Sequence, residues 1–194
     1  MFSLLPMTKV ISMLAGLYAL LAFLVALGME RLGIEVSFLR VFSGAVVIDL
    51  GLLFFVYVGW RWIWEKVPRL NQWLYPDLNG TWAASIDWVK DGKTGLALGT
   101  VSIKQNFFTL SIEMDAPRSE SRTIALSVKK DPESARPLLH YIYEVREKYQ
   151  SPGQNMVYQG AASLVVDVAT YDRLSGNYFT SRESGGHFEF RRTL

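Results

Sequence analysis

GTWAASIDWVK, residues 80–90, puts Trp82, Ala84, Ile86 and Trp88 on one face of an extended chain, against Thr81, Ser85 and Asp87 on the other. Side chains along a strand alternate between two faces, so this period-two pattern is that of a strand with one buried side. Asp91-Gly92 follows at once and suits a tight hairpin turn. The pattern then recurs to the end of the chain. Leu96 to Gln105 follows the turn, and Phe107 to Met114 alternates Phe108, Leu110, Ile112 and Met114. Thr123 to Lys129 carries Ile124, Leu126 and Val128, and Leu138 to Glu147 carries Leu139, Tyr141, Tyr143 and Val145. Tyr158 to Ala169 contains Leu164, Val166 and Val168, and Gly176 to Glu183 joins Gly186 to Arg192 through Ser184-Gly185. About eight strands at hairpin spacing, with no helical period among them, predict an all-β domain over 78–194. A closed antiparallel up-and-down barrel or a sandwich satisfies this pattern. The alternate face carries Lys, Arg and Glu, which an outer-membrane barrel would not turn to lipid.

Upstream the character of the chain changes. Val10 to Met29 has no charged residue, and Val41 to Trp60 has only Asp49. Each is long enough to cross a bilayer as a helix, so residues 1–66 read as a transmembrane hairpin with spans near 10–29 and 41–60. Residues 67–77, closed by Pro76, form the connector. Lys9 precedes the first span and Arg61, Lys66 and Arg69 follow the second, whereas Arg31 and Arg40 between them are diluted by Glu30 and Glu35. The positive-inside bias therefore puts both termini in the cytoplasm of a multi-pass inner-membrane protein. Trp60, Trp62 and Trp64 read as an interfacial aromatic anchor. Ala15, Ala19, Ala22 and Ala26 share one face of the first span, where small side chains allow close helix packing and self-association. Asp49 falls mid-span, where a carboxylate is costly unless paired, protonated or facing water. A hairpin packed on itself explains these features as well as an oligomer interface does.

Several chemistries are excluded. With 20 basic and 18 acidic residues the chain lacks the basic excess of a DNA- or RNA-binding protein. There is no Cys, and His140 and His187 have no partner at metal-ligand spacing. No cofactor motif and no hydrolase nucleophile motif is present. Gly92-Lys93-Thr94 has Asp87 where a phosphate-binding loop needs Gly, and it sits in a hairpin turn. These absences argue against an enzyme. Polar and aromatic residues instead gather late in the domain: Tyr141, Tyr143, Tyr178, Thr180 and Arg182. By the two-residue repeat, Tyr178, Thr180 and Arg182 share a face, on which Arg could hold a phosphate and the tyrosines could stack on bases.

Leu78-Asn79-Gly80-Thr81-Trp82 is echoed by Leu174-Ser175-Gly176-Asn177-Tyr178. In each, Gly permits a sharp strand opening and the ring can plug one end of a barrel. The Gly-x-Trp opening is similar to that of lipocalin-like barrels. Together with the closing Gly176-Asn177-Tyr178-Phe179-Thr180-Ser181-Arg182-Glu183 and the order of parts, the chain resembles the transmembrane β-barrel effectors of CBASS, the bacterial cyclic-oligonucleotide-based antiphage systems. That resemblance implies a cytoplasmic barrel that binds a cyclic dinucleotide made by a partner nucleotidyltransferase. It further implies ligand-driven homo-oligomerisation, inner-membrane disruption and death of the infected cell. Two other readings compete. A mostly apolar interior would suit a tethered barrel for a lipid or other apolar ligand, and a completely filled one would suit a structural subunit that binds only protein.

Overall fold

The computed structural model describes residues 7–33, 38–73, 75–134, 136–149 and 156–193. Glu35 and Leu74 lie outside the described residues. Eight strands follow the helical segment: β1 Gly80–Lys90, β2 Lys93–Gln105, β3 Leu110–Asp115, β4 Ser119–Lys130, β5 Pro137–Glu147, β6 Val157–Val166, β7 Arg173–Thr180 and β8 Gly185–Arg192. Each pairs antiparallel with the next, and β8 returns to β1, closing the barrel. The first hairpin turns on Asp91 and Gly92, with φ of 50° and 72°, the left-handed geometry that matches the twist of the flanking strands.

Around the inner wall the bulkiest rings stand opposite small residues. One row runs Tyr141, Ala162, Tyr178, Gly186, Trp88, Gly95 through directly opposed residues of β5, β6, β7, β8, β1 and β2. The next runs Leu139, Leu164, Gly176, Phe188, Ile86, Ala97. Tyr178, Trp88 and Phe188 each have Gly opposite them, which makes room for the ring, whereas Leu139–Leu164 and Ile86–Phe188 are larger pairs that also fit. The glycines are therefore spatial requirements. A Cβ on Gly186 would stand 1.8 Å from the Asp87 carbonyl oxygen, and one on Gly160 would stand 2.5 Å from the Tyr143 ring.

Four sequence expectations are corrected. Phe107 and Phe108 belong to the β2–β3 turn, since β3 begins at Leu110. Ile124 is half exposed although Leu126 and Val128 face the core side, because a bulge between Thr123 and Ala125 inserts Ile124 as an extra residue. Val168 lies beyond the end of β6 and is exposed. Gly176 sits in the middle of β7, not at its opening. The first of the two echoed segments behaves as expected: Trp82 is fully buried and plugs its end of the barrel, donating Nε1–H to the Leu78 carbonyl at 3.1 Å.

That end is also where the helices join. Asn79 and Gln105 bond to each other through side chain and backbone, and Gln105 also serves Leu78 and Pro76. The Arg192 guanidinium lies 4.9 Å over the Trp82 ring and donates to the Asp77 carbonyl. The helical segment comprises α1 Met7–Arg31, α2 Phe38–Phe54, a π-helical turn Phe55–Gly59, α3 Trp60–Lys66 and α4 Arg69–Trp73. Among the described residues one helix, Val46–Lys66, is long and apolar enough by length and composition to cross a membrane. Trp60 and Trp64 are only 1% and 6% exposed, unlike the anchor read from sequence, and Trp62 alone of the three faces outward. Trp64 donates to the Tyr75 carbonyl at 2.8 Å, and Arg61 pairs with Asp77 at 2.8 Å. The connector thus packs between helix and barrel: Tyr75, Pro76 and Leu78 are buried.

Two outcomes follow from this packing. Gly186→Ala forces a methyl against the β1 backbone at the closing seam and should cost about 1–3 kcal/mol, read as a lowered thermal midpoint of the full chain in detergent. Burial also raises the phenol pKa of Tyr141 and Tyr143, and raises that of Tyr178 to about 12. The unfolded chain ionises these groups near the ordinary value of about 10, so their contribution to stability is complete below that pH and is lost as pH rises above it. On alkaline titration, part of the tyrosinate absorbance should develop only together with loss of the β-sheet circular dichroism.

Candidate functional site

The opposite end of the barrel has a different chemistry. Directly opposed residues set Tyr143, Gly160 and Thr180 in a row across β5, β6 and β7. β7 stops at Thr180, so Arg182 stands in the turn to β8 and not on the strand face expected from the two-residue repeat. Thr180 holds that turn together. Its N–H donates to Ser184 O at 2.8 Å, its hydroxyl lies 2.7 Å from the Ser184 hydroxyl, and it accepts the Arg182 N–H. The Arg182 guanidinium is carried back over the rim, 4.1 Å above the Tyr158 ring, where Nη1 pairs with Glu147. Its Nη2 is buried and has no partner among the described residues, and neither has the Tyr143 hydroxyl.

Of the residues singled out by sequence, Tyr143, Thr180 and Arg182 gather at this end, with Tyr141 and Tyr178 one step deeper. Tyr178 stacks on Phe188 at 4.1 Å and 11°, Tyr143 lies 6.2 Å from Phe188, and Tyr141 lies 5.2 Å from Tyr143. These rings belong to the core. Tyr141, Tyr143 and Tyr178 are all buried, so they wall no open cup. Tyr158 and Glu147 complete the rim and were not recognised in the sequence. Burial raises the Tyr158 phenol pKa, and the adjacent Arg182 opposes the rise. The rim therefore offers a guanidinium ion-paired with Glu147 and stacked on an aromatic face, with one buried nitrogen that has no partner among the described residues.

Two grooves on the outer wall bear comparison. One of about 610 Å³ is lined by Glu113, Asp115, Glu120 and Glu144 against Arg122 and Arg146, an acidic balance that repels anions. The other, about 520 Å³, crosses β4 to β7 over Ile142, Ala161, Ser163, His140 and the 67%-exposed Phe179. It is mainly apolar and has no Lys or Arg in its lining. In the helical segment, Ala15, Ala19, Ala22 and Ala26 are all exposed, whereas Tyr18, Leu21 and Met29 are the partly covered ones among the described side chains of α1. Asp49 is exposed as well.

Two likenesses to known proteins bear on this arrangement. The family model described as Cap15, cyclic dinucleotide receptor domain, matches residues 73–192, the whole barrel with the end of the connector. The chain is also 22% identical over 182 residues to CD-NTase-associated protein 15 of Staphylococcus schleiferi, covering 92% of this chain and 93% of that protein. The second likeness extends through the helices, and the first coincides with the closed barrel and its rim. With all eight strands inside the matched stretch, this chain belongs to the Cap15 cyclic dinucleotide receptor family.

Proposed function

We propose that this chain is a non-enzymatic inner-membrane effector of CBASS antiphage signalling, whose barrel binds a cyclic dinucleotide and whose helices then associate and breach the bilayer. The observation that carries the reading is membership of a cyclic dinucleotide receptor family over the whole barrel. The ligand is met at the rim, where a cation and an aromatic ring coincide. A cyclic dinucleotide presents two phosphates and two flat bases. Arg182 supplies a held guanidinium for the former, and Tyr158 supplies aromatic surface for the latter. Neither outer groove combines a favourable charge with such a surface. A second reading, a tethered barrel for an apolar or lipid ligand, rests on the mainly apolar groove under Phe179 and Ile142.

In the membrane part, two spans, α1 and α2, leave both termini in the cytoplasm, where the messenger is made. The alanine face of α1 is uncovered and available to a second copy, with Asp49 among the exposed residues of α2. Ligand binding drives assembly only if the assembled state binds the ligand more tightly.

Titrating the full chain in detergent with a panel of cyclic dinucleotides tests the receptor reading. One of them should bind, and Arg182→Ala should weaken it more than tenfold, equivalent to about 1.4 kcal/mol, with the circular dichroism unchanged. An absence of binding across the panel would refute the reading, whereas unaltered affinity in the variant would move the site away from Arg182. For the effector step, Ala19→Leu with Ala22→Leu should preserve binding but reduce ligand-induced crosslinking in membranes and protect cells from permeabilisation. Full toxicity in that double variant would show that the alanine face is not the contact.

A further inference from the structure

The β2–β3 turn, Asn106 to Thr109, reaches out of the barrel to touch the long apolar helix. Phe107 donates its backbone N–H to Val56 O at 3.1 Å, and its ring lies 5.5 Å from Phe55 and 6.0 Å from Trp64. The contact falls on the π-helical turn, in which Trp60 N–H bonds back to Phe55 O. Widening the helical ladder for one turn and then narrowing it bypasses a carbonyl, which leaves Val56 O open to the barrel. Every backbone N–H of the turn has a partner. Asn106 N–H goes to Thr109 O, Phe108 and Thr109 N–H both go to Asn106 Oδ1, and Phe107 N–H goes to the helix.

Resting on the membrane reading above, we infer that this turn is a bilayer-contacting surface, and that the hydrocarbon boundary on the cytoplasmic side lies near Phe54–Phe55, one turn below the Trp60 limit read from sequence. Residues 56–66 are then a stalk clamped to the barrel. Three observations converge. First, Phe38–Phe54 is 17 residues long, about 25 Å of helix, the lower end of what spans a bilayer. Second, a boundary at Trp60 would put Val56 roughly 6 Å inside the hydrocarbon and draw the turn in with it, beside Lys104 and Gln105. Third, Trp60 and Trp64 are buried at the barrel junction, so the rings left to face lipid here are Tyr57 and Trp62, with polar atoms suited to the headgroup zone. A turn with every N–H satisfied and two adjacent Phe residues is built for that zone, where water is scarce.

The chain has no Cys, so single nitroxide labels can be placed on the full protein in phosphatidylethanolamine–phosphatidylglycerol liposomes. The exposed positions Val47, Leu50, Val58, Lys66 and Thr109 tolerate substitution by Cys. Oxygen and nickel-chelate collision rates should place Val47 and Leu50 in hydrocarbon and Lys66 in water. Val58 and Thr109 should lie in the headgroup zone, at depths within about 5 Å of each other, one helical turn. Val58 as deep as Leu50, or Thr109 fully aqueous, would overturn the inference while leaving the membrane reading intact. Leu50 accessible to the nickel chelate as freely as Lys66 would overturn both.

Discussion

The largest rings of the inner wall fit only because Gly or Ala stands opposite them on the neighbouring strands, and the packing of the barrel depends on that constraint. Trp88 lies between Gly186 and Gly95, and Tyr178 between Ala162 and Gly186, so each ring has small neighbours on both sides. Phe188 lies against Tyr178 and near Tyr143 and Phe190, so rings take up part of the space that ligand-carrying up-and-down barrels keep hollow. On β1 and β2 the inner-face residues Ile86, Trp88, Gly95 and Ala97 are only partly buried. In the proposed function the ligand is met at the rim, where charge and aromatic surface coincide.

Both ends of the barrel hold buried polar atoms with no partner among the described residues, Trp60 Nε1, Tyr75 Oη and Arg192 Nε at the helix end and Arg182 Nη2 and Tyr143 Oη at the rim. At the helix end Asn79, Gln105, Asp77 and Arg61 satisfy one another, and Arg192 is fixed over Trp82. Burial lowers the Arg192 pKa, offset by Asp77, which suits a group held for structure. At the rim the Nη2 of Arg182 and the Tyr143 hydroxyl are buried without partners among the described residues. Each forgoes its water for no return, a cost of about 1–3 kcal/mol for a neutral group and more for a charged one. An anionic ligand that meets Nη2 removes that cost.

How much of this was legible in the sequence depended on how local the cause was. The faces of Trp82, Tyr141 and Tyr143 follow from period two alone, because the strands around them are regular. Ile124 did not, because a bulge is set by pairing across β4 and β5 and by Thr123, whose hydroxyl bonds both backbone groups of Ile112 on β3. The rim triad of Glu147, Tyr158 and Arg182 depends on the register of β5, β6 and β7 together, 35 residues apart at its ends, which no window of sequence contains. Trp60 and Trp64 were read as lipid anchors because composition cannot distinguish lipid from protein as an apolar neighbour. The contacts of Trp64 with Tyr75 and Phe107, and of Trp60 with Trp64, do so.

The packing of the barrel also limits how a signal can travel. Close-packed interiors shift between discrete arrangements and do not deform continuously. Little in this core can slide without a Cβ meeting backbone, as the Gly176 and Gly186 contacts indicate. The far end is fixed to the helix by Phe107, Trp64 and Asp77. In the proposed function, a ligand at the rim is therefore poorly placed to act by reshaping the barrel beneath it. It acts instead by changing which surfaces of separate copies meet, with each barrel and its stalk moving as one piece. Rigidity then becomes the coupling: bringing two rims into a fixed relation also brings two stalks, and the alanine faces tied to them, into a fixed relation across the membrane.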